Sequence, residues 1–160
     1  MNKTLNKQLM KKSYPLKEDV ESIEGIMNAY YEVVSGAKGE PRQTMRDKSL
    51  HHPNAFIAYT GQNNEGKSYI KDMTLNEFHQ DTKPYDNGFF ESENHRVVHQ
   101  FGNIAHVWST YETRFEEKGE VKRRGINSIQ LYNDGTRWWI TSWMFDGERA
   151  NNPIPEKYLK

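Results

Sequence analysis

The chain is predicted to be an α+β protein, with helices in its first half and an antiparallel sheet in its second half. Two observations carry this prediction. Apolar residues recur at spacings of three and four between Leu16 and Val34, as on one face of an amphipathic helix. Beyond residue 88, four segments alternate between apolar and polar residues and are separated by turn sequences, as in a β-meander.

The first predicted element is one long helix with an apolar stripe wide enough to lie on a sheet. The stripe consists of Leu16, Val20, Ile23, Met27, Tyr30 and Val34. Ser35-Gly36 ends the helix, because glycine favours the backbone conformation that follows a helix C-terminus. A short helix is predicted next, from Pro41 to Leu50, and His51-His52-Pro53-Asn54 breaks it.

Shorter elements fill the middle of the chain. Strands are predicted over residues 55–60 and 68–73, on either side of a glycine- and asparagine-rich loop. Thr74 and Glu77 have the spacing of a capping box, which predicts a short helix to about Asp81.

The remainder is predicted to be a four-stranded meander. Its strands cover residues 89–101, 104–116, 121–132 and 137–145. The turns between them carry glycine, and the last one has the Asp134-Gly135 sequence that is typical of a tight hairpin.

Length and charge limit the possible functions. The 160 residues suit one domain, with a flexible N-terminus over residues 1–14, a folded domain over 15–148 and a tail over 149–160. Because 22 basic residues balance 22 acidic ones, we expect neither nucleic acid nor a membrane as partner. The chain has no cysteine and no stretch resembling a signal peptide or a membrane span, so we expect a cytoplasmic protein.

Alternation along the strands divides their side chains between two faces. We assign Val107, Ile129 and Ile140 to the inner face, which the helices cover. The outer face then carries Trp108, Trp139, Trp143 and Phe145. Four large rings are rarely left in water, so a homodimer through this face is predicted. The alternative is that the C-terminal tail folds over them.

Several segments resemble the nuclear transport factor 2-like (NTF2-like) superfamily, in its SnoaL-like branch. The resemblance covers about residues 16–148. It rests on the long first helix and on the segments Leu50-His51-His52-Pro53-Asn54-Ala55, Phe101-Gly102-Asn103-Ile104-Ala105-His106-Val107, Gly125-Ile126-Asn127-Ser128-Ile129-Gln130-Leu131, Asp134-Gly135 and Trp138-Trp139-Ile140. It implies a cone-shaped α+β barrel with an internal pocket, and commonly dimers through the sheet. Family members include isomerases, dehydratases, cyclases, hydrolases and binding modules without catalysis, so the fold alone selects no function.

The candidate ligand-binding residues are the polar and aromatic groups expected to face this pocket. They are Tyr30 and Tyr31 from the helix, Asn54 before the first strand, and Arg96, Tyr111, Asn127 and Trp138 from the meander. Arg96 points inward if Val98 does, and Glu91 then points outward, unless a bulge reverses part of the strand.

His52 is the candidate catalytic residue, because an imidazole suits proton transfer near neutral pH. Tyr111 and Asn127 would then donate hydrogen bonds to a developing oxyanion. Two alternatives stay open: the same groups orient a ligand that is not transformed, or His52-Pro53-Asn54 only caps a helix end. Isomerases of the ketosteroid type in this family use an inward carboxylate base, and no carboxylate is placed inward by the strand phase above.

Three histidines are candidate ligands of a zinc ion. His95, His99 and His106 are predicted to share the outer face, but strand alternation alone creates such sets and no acidic partners accompany them. We therefore expect neither a metal nor a cofactor, and the remaining partners are an unidentified small molecule and a second copy of the chain.

Overall fold

The computed structural model describes residues 13–80 and 85–160. In that part of the chain, the helices are α1 (Lys17–Val20), α2 (Ile23–Val34), α3 (Thr44–Leu50) and α4 (Leu75–Phe78). The strands are β1 (His51–Gln62), β2 (Ser68–Met73), β3 (Phe90–Phe101), β4 (Ile104–Arg114), β5 (Arg123–Asn133) and β6 (Trp138–Gly147), and a 3₁₀ helix covers Glu156–Tyr158. The predicted flexible N-terminus lies outside the described residues, except for its last two positions.

The six strands form one sheet in the order β2-β1-β6-β5-β4-β3. All neighbouring strands are antiparallel except β1 and β6, which are parallel. The helices lie on one face of this curved sheet. The predicted α+β fold, with helices packed on a curved and mainly antiparallel sheet, is therefore confirmed.

The long N-terminal helix is in fact two helices. Ser22 interrupts the predicted stripe because its hydroxyl accepts the backbone N–H of Gly25 (2.9 Å) and so starts α2. Gly25 also allows α1 to approach α2 closely, since a Cβ at this position would lie 2.1 Å from the carbonyl oxygen of Glu18. The apolar stripe still packs inward, with Ile26 and Met27 fully buried.

The junction between α3 and β1 also differs from the prediction. Helix α3 begins at Thr44, not at Pro41, and β1 begins directly at His51, where a break was expected. The capping box of Thr74 and Glu77 is present at the start of α4. That helix ends at Phe78, and its predicted end near Asp81 lies outside the described residues.

A bulge in β6 reverses the predicted faces of its second half. Leu131 of β5 pairs with Ile140, but Gln130 pairs with Ser142, so Thr141 is an extra residue. Trp138 and Ile140 are inward as predicted, whereas the prediction that Trp143 and Phe145 face outward is wrong. Trp143 is buried and packs against the core, and Phe145 packs beside it.

A second bulge, in β3, decides the phase that the sequence left open. Glu93 pairs with Tyr111 and His95 pairs with Thr110, so Asn94 is the extra residue. Arg96 is opposite the buried Ser109, and beyond the bulge Glu93 and Glu91 lie on that same inner face. The expectation that Glu91 points outward is therefore wrong.

The C-terminal tail covers part of the outer face. The Thr110 hydroxyl donates to the backbone carbonyl of Tyr158 (2.7 Å), and the Tyr158 ring lies 6.1 Å from that of Trp108 between centroids. Ile154 is buried in the same segment. The alternative, in which the tail folds back over the outer face, thus applies to Trp108. Trp139 lies beyond the tail, and Cζ of Arg137 lies 3.5 Å from the centroid of its ring.

Candidate active site

A cavity of about 1300 Å³ lies between the helices and the inner face of the sheet. This volume exceeds the roughly 300–1000 Å³ that is usual for small-molecule sites in proteins. Aromatic side chains form much of its wall: Tyr30, Tyr59, Phe78, Tyr85, Tyr111, Trp143 and Phe145. Elements α2, α3, α4, β1, β3, β4, β5 and β6 all contribute to the lining.

The aromatic wall is ordered by the bulge in β6. Trp143 stacks between Tyr59 (5.8 Å between centroids) and Phe145 (6.4 Å), with interplanar angles of 25° and 21°. Tyr111 meets Phe145 edge to face. Offset and edge-to-face rings of this kind make a rigid apolar surface, which suits a flat or partly apolar ligand.

Glu91 is the only carboxylate in this wall, within the part of the chain that the structure describes, whose pKa is raised. Burial raises the pKa of Glu91 to about 7, because the charged form loses hydration; a hydrogen bond from the side chain of Asn127 opposes this rise. Glu91 is half-buried as a residue, and it lines the cavity. A carboxyl group with such a pKa changes charge near neutral pH, as a general base or acid must.

Three tyrosine hydroxyls in this wall have no hydrogen-bond partner among residues 13–80 and 85–160, and the charge of Glu91 acts on each of them. They belong to Tyr30 from α2, Tyr59 from β1 and Tyr111 from β4, and all three line the cavity. Burial raises the pKa of each of the three phenols, and the charge of Glu91 raises each further. The hydroxyls therefore stay protonated and are free to donate hydrogen bonds to a ligand.

Close packing fixes the position of Tyr111. Its partner in β5 is Gly125, and a Cβ at that glycine would lie 2.4 Å from the Tyr111 hydroxyl. Only glycine leaves room for the phenol to lie over the neighbouring strand at this height of the cavity.

A separate buried network joins two histidines to Asp47 in the same wall. Trp143 Nε1 donates to His51 Nε2 (3.0 Å), so His51 Nδ1 carries the proton and donates to the Asp47 carbonyl (2.9 Å). Burial lowers the pKa of His51, which agrees with a neutral ring. His79 Nδ1 donates to the Leu75 carbonyl (2.8 Å), and its Nε2 is hydrogen-bonded to Asp47 Oδ2 (2.8 Å). Both nitrogens of each ring are thus engaged, so this network holds α3, α4, β1 and β6 together and offers no donor to a ligand.

The structure brings together some of the predicted site residues. Tyr30, Tyr111 and Asn127 line the main cavity. Tyr31 lies behind them, where its hydroxyl meets Ser109 (2.6 Å) and Asn127 (3.1 Å). Their roles toward a ligand stay predictions.

Other predicted site residues lie elsewhere. His52 is outside the cavity, beside the ring of Trp139 (6.0 Å between centroids), and its Nδ1 accepts the backbone N–H of the exposed Asn54 (3.2 Å). Placing His52 and Asn54 at the pocket is therefore wrong, because β1 begins at His51, four residues earlier than predicted, and His51 is the residue that points inward. Trp138 packs in the core, and Arg96 borders a separate groove between α2 and β3.

In the part of the chain that the structure describes, no group of three or more His, Asp or Glu side chains is arranged so that it could hold a metal ion, the outer-face histidines included. His99 and His106 lie 6.2 Å apart between ring centroids, and His106 Nε2 contacts the Ser128 hydroxyl (3.1 Å). None of the described helices has the length and apolar character to cross a membrane.

Comparison by sequence finds no matching family model and no matching curated protein. Comparison by structure finds many similar folds. A Nostoc punctiforme protein of unknown function with a cystatin-like fold has a TM-score of 0.56 at 12% identity, covering 81% of this chain and 96% of that one. An NTF2-like protein of unknown function from Silicibacter pomeroyi has a TM-score of 0.50 at 12% identity, covering 78% and 92%.

The chain has an NTF2-like fold. A further structure with this fold, from Parabacteroides distasonis, is of a protein proposed to be a ketosteroid isomerase; its TM-score is 0.53 at 14% identity, covering 85% of this chain and 99% of that one. Identities this low establish a shared fold and no shared activity. In this chain, α2 and the inner face of the sheet line the cavity that contains Glu91.

Proposed function

We propose that the protein is a proton-transfer enzyme that acts on a small, partly apolar carbonyl compound, with Glu91 as its general base. The observation that carries this proposal is the position of Glu91: a carboxyl group with a pKa of about 7, among three tyrosine hydroxyls that have no partner among the described residues. Glu91 takes the place that the sequence had suggested for His52.

The chemistry follows from the charges involved. The Glu91 carboxylate removes a proton from the carbon next to the carbonyl group, and the bonding electrons move onto the carbonyl oxygen. Tyr30 and Tyr111 donate hydrogen bonds to that oxygen as it becomes negative, which lowers the barrier most where water is excluded. Return of the proton to a different carbon gives an isomerase. Ketosteroid isomerisation, the activity proposed for the Parabacteroides distasonis protein, is compatible with this class of reaction.

A carbon-acid probe tests the proposal without the natural substrate. 5-Nitrobenzisoxazole is a small flat molecule whose ring opens to a coloured phenolate once a base removes its C–H proton. We expect turnover that rises as the pH rises through about 7, because the active form is the carboxylate. Glu91→Gln should lower kcat/KM by roughly a hundredfold or more, the usual contribution of a positioned base.

The matched control for this experiment is Glu65→Gln, which makes the same change at an exposed position in the turn between β1 and β2. It should leave turnover unchanged. Equal turnover of Glu91→Gln and the wild type would remove Glu91 from the mechanism. Binding of the probe without turnover would favour the alternative, a cavity that holds its ligand without transforming it.

The second proposal concerns assembly: we propose that the chain forms a homodimer through the outer face of the sheet. What supports it is a group of exposed apolar side chains beyond the reach of the tail, Phe101, Ile104 and Tyr132, which are 85%, 61% and 40% exposed. They lie next to Trp139 in the strand pairing. The oligomeric state in solution tests this proposal.

A further inference from the structure

A chain of buried hydrogen bonds runs behind Glu91, through residues to which the proposed reaction assigns no part. The Ser109 hydroxyl donates to the Glu93 carboxylate, Ser109 meets the Tyr31 hydroxyl at 2.6 Å, and Asn127 Nδ2 donates to Tyr31 at 3.1 Å. Ser109 and Asn127 are almost completely buried. Asn127 and Glu91 both line the main cavity, and the Asn127 side chain lowers the pKa of Glu91.

The direction of this chain is fixed at the Glu93 end. Nε and Nη2 of Arg96 lie 2.7 and 2.6 Å from Glu93 Oε1, and the carboxylate of this ion pair can only accept hydrogen bonds. The Ser109 hydroxyl must therefore donate its hydrogen bond to Glu93, and the Ser109 oxygen accepts a hydrogen bond from the Tyr31 hydroxyl. The oxygen of Tyr31 in turn accepts from Asn127. Each hydroxyl has one proton, so no second arrangement satisfies all of these groups.

We propose that Glu93, Ser109 and Tyr31 are positioning residues that orient the amide of Asn127, so that its N–H group and not its carbonyl faces Glu91. Asn127 can turn by 180° about its last torsion, and only the hydrogen-bond pattern behind it selects one orientation. With the N–H group toward Glu91, the carboxylate form of the base is stabilised. With the oxygen toward Glu91, that form would lose a donor and face a repelling dipole.

Glu93→Gln reverses the chain. Arg96 offers only donors, so the single side-chain oxygen of the glutamine turns toward Arg96 and its NH₂ group turns toward Ser109. Ser109 must then donate to Tyr31, and Tyr31 to Asn127, whose amide turns its oxygen toward Tyr31 and Glu91. We expect Glu91 to bind its proton about tenfold more tightly, as when a charged group loses one hydrogen bond.

The sign of the change separates this mechanism from a direct effect of charge. Removal of a negative charge near Glu91 would by itself weaken proton binding, which is the opposite result. The other titratable groups around Glu91 are Tyr30 and Tyr31 from α2, Tyr59 from β1 and Tyr111 from β4, and all four are neutral phenols at the pH of interest.

The experiment is a carboxyl-carbon NMR titration of the full chain, in which the Glu91 signal is assigned by its loss in Glu91→Gln. Glu93→Gln should raise the titration midpoint of Glu91. Ser109→Ala, which cuts the chain without changing any charge, should raise it by a smaller amount. The control is Glu112→Gln: Glu112 is 13% exposed against 16% for Glu93, and it is also paired with an arginine, but it lies on the outer face.

A lower or unchanged midpoint in both Glu93→Gln and Ser109→Ala would overturn the inference. The inference depends on the proposed function only for its effect on catalysis, because the titration needs no substrate. In the 5-nitrobenzisoxazole assay, a raised midpoint should shift the pH profile of Glu93→Gln to higher pH, while the limiting rate at high pH stays the same. If Glu91→Gln keeps full turnover, the proposed function fails; the orientation of Asn127 is judged by the titration alone.

Discussion

At the scale of single residues, Glu91 should make the stability of the protein depend on pH. Its carboxyl group has an ordinary pKa of 4.5 in an unfolded chain and one of about 7 in the fold. Between these values the folded state binds more protons than the unfolded state, so the free energy of unfolding decreases as the pH rises. We expect the wild type to lose about 3 kcal/mol relative to Glu91→Gln between pH 4 and pH 8.

Urea unfolding of both proteins across this range measures the difference. Glu91→Gln should match the wild type at acidic pH and exceed its stability above neutral pH. The exposed variant Glu65→Gln should follow the wild type throughout. Parallel curves for the wild type and Glu91→Gln would mean that the carboxylate is hydrated in the fold, which contradicts the raised pKa.

The site residues show how far alternation along strands can be used. Tyr111 and Asn127 were placed in the cavity wall because both are inward on strands without a bulge, and Tyr30 because it belongs to the helical stripe. The sequence predicted a break at residues 51–54, so no strand alternation could distinguish His52 from its neighbour His51, which is the inward residue of β1. The inward position of Glu91 was not predicted because Asn94, the bulged residue between Glu91 and Val98, shifts the alternation of β3 by one position.

At the scale of elements, two bulges build the site. Thr141 in β6 turns Trp143 and Phe145 inward, and Asn94 in β3 turns Glu91 and Glu93 inward. A bulge depends on which residues of two strands pair, so it is a property of the sheet and leaves no mark in the alternation of one strand. This is why the sequence predicted the strands and their order but not the faces of their far ends.

Deletion of Thr141 tests the role of the bulge in β6. Without it, strict alternation would send Trp143 and Phe145 to the outer face and leave their places in the core empty. Truncation of one buried aromatic residue typically costs about 3–5 kcal/mol, so we expect at least such a loss in the free energy of unfolding. Deletion of Lys118, in the exposed turn between β4 and β5, should cost less than about 1 kcal/mol.

Urea denaturation with tryptophan fluorescence measures both deletions. The emission of the Thr141 deletion should also move to longer wavelength, because Trp143 is buried in the wild type. A deletion variant that keeps wild-type stability and emission would show that β6 re-forms the same core without the bulge, and that Thr141 does not determine its faces.

At the scale of the whole molecule, the two faces of the sheet carry two different groups of residues, which the sequence analysis did not divide correctly. The inner face carries the cavity and the groups around Glu91, while the outer face is shared between the tail and an exposed apolar patch. The interface predicted from four aromatic residues is reduced to Trp139, because Trp143 and Phe145 are inside and Trp108 is next to Tyr158. Phe101, Ile104 and Tyr132 were not predicted as part of it, since nothing in the sequence showed where the tail would end.

This patch makes the dimer prediction specific. Burial of each large apolar side chain contributes roughly 1.5–3 kcal/mol, and the net charge of zero means that two copies do not repel each other overall. We expect the wild type to be a dimer by light scattering at micromolar concentration and Ile104→Lys to be a monomer. Met45→Lys, at a position of α3 that is 70% exposed, should remain a dimer. A wild type that stays monomeric at high concentration, with a stability independent of dilution, would contradict the proposal and leave the patch to a different partner.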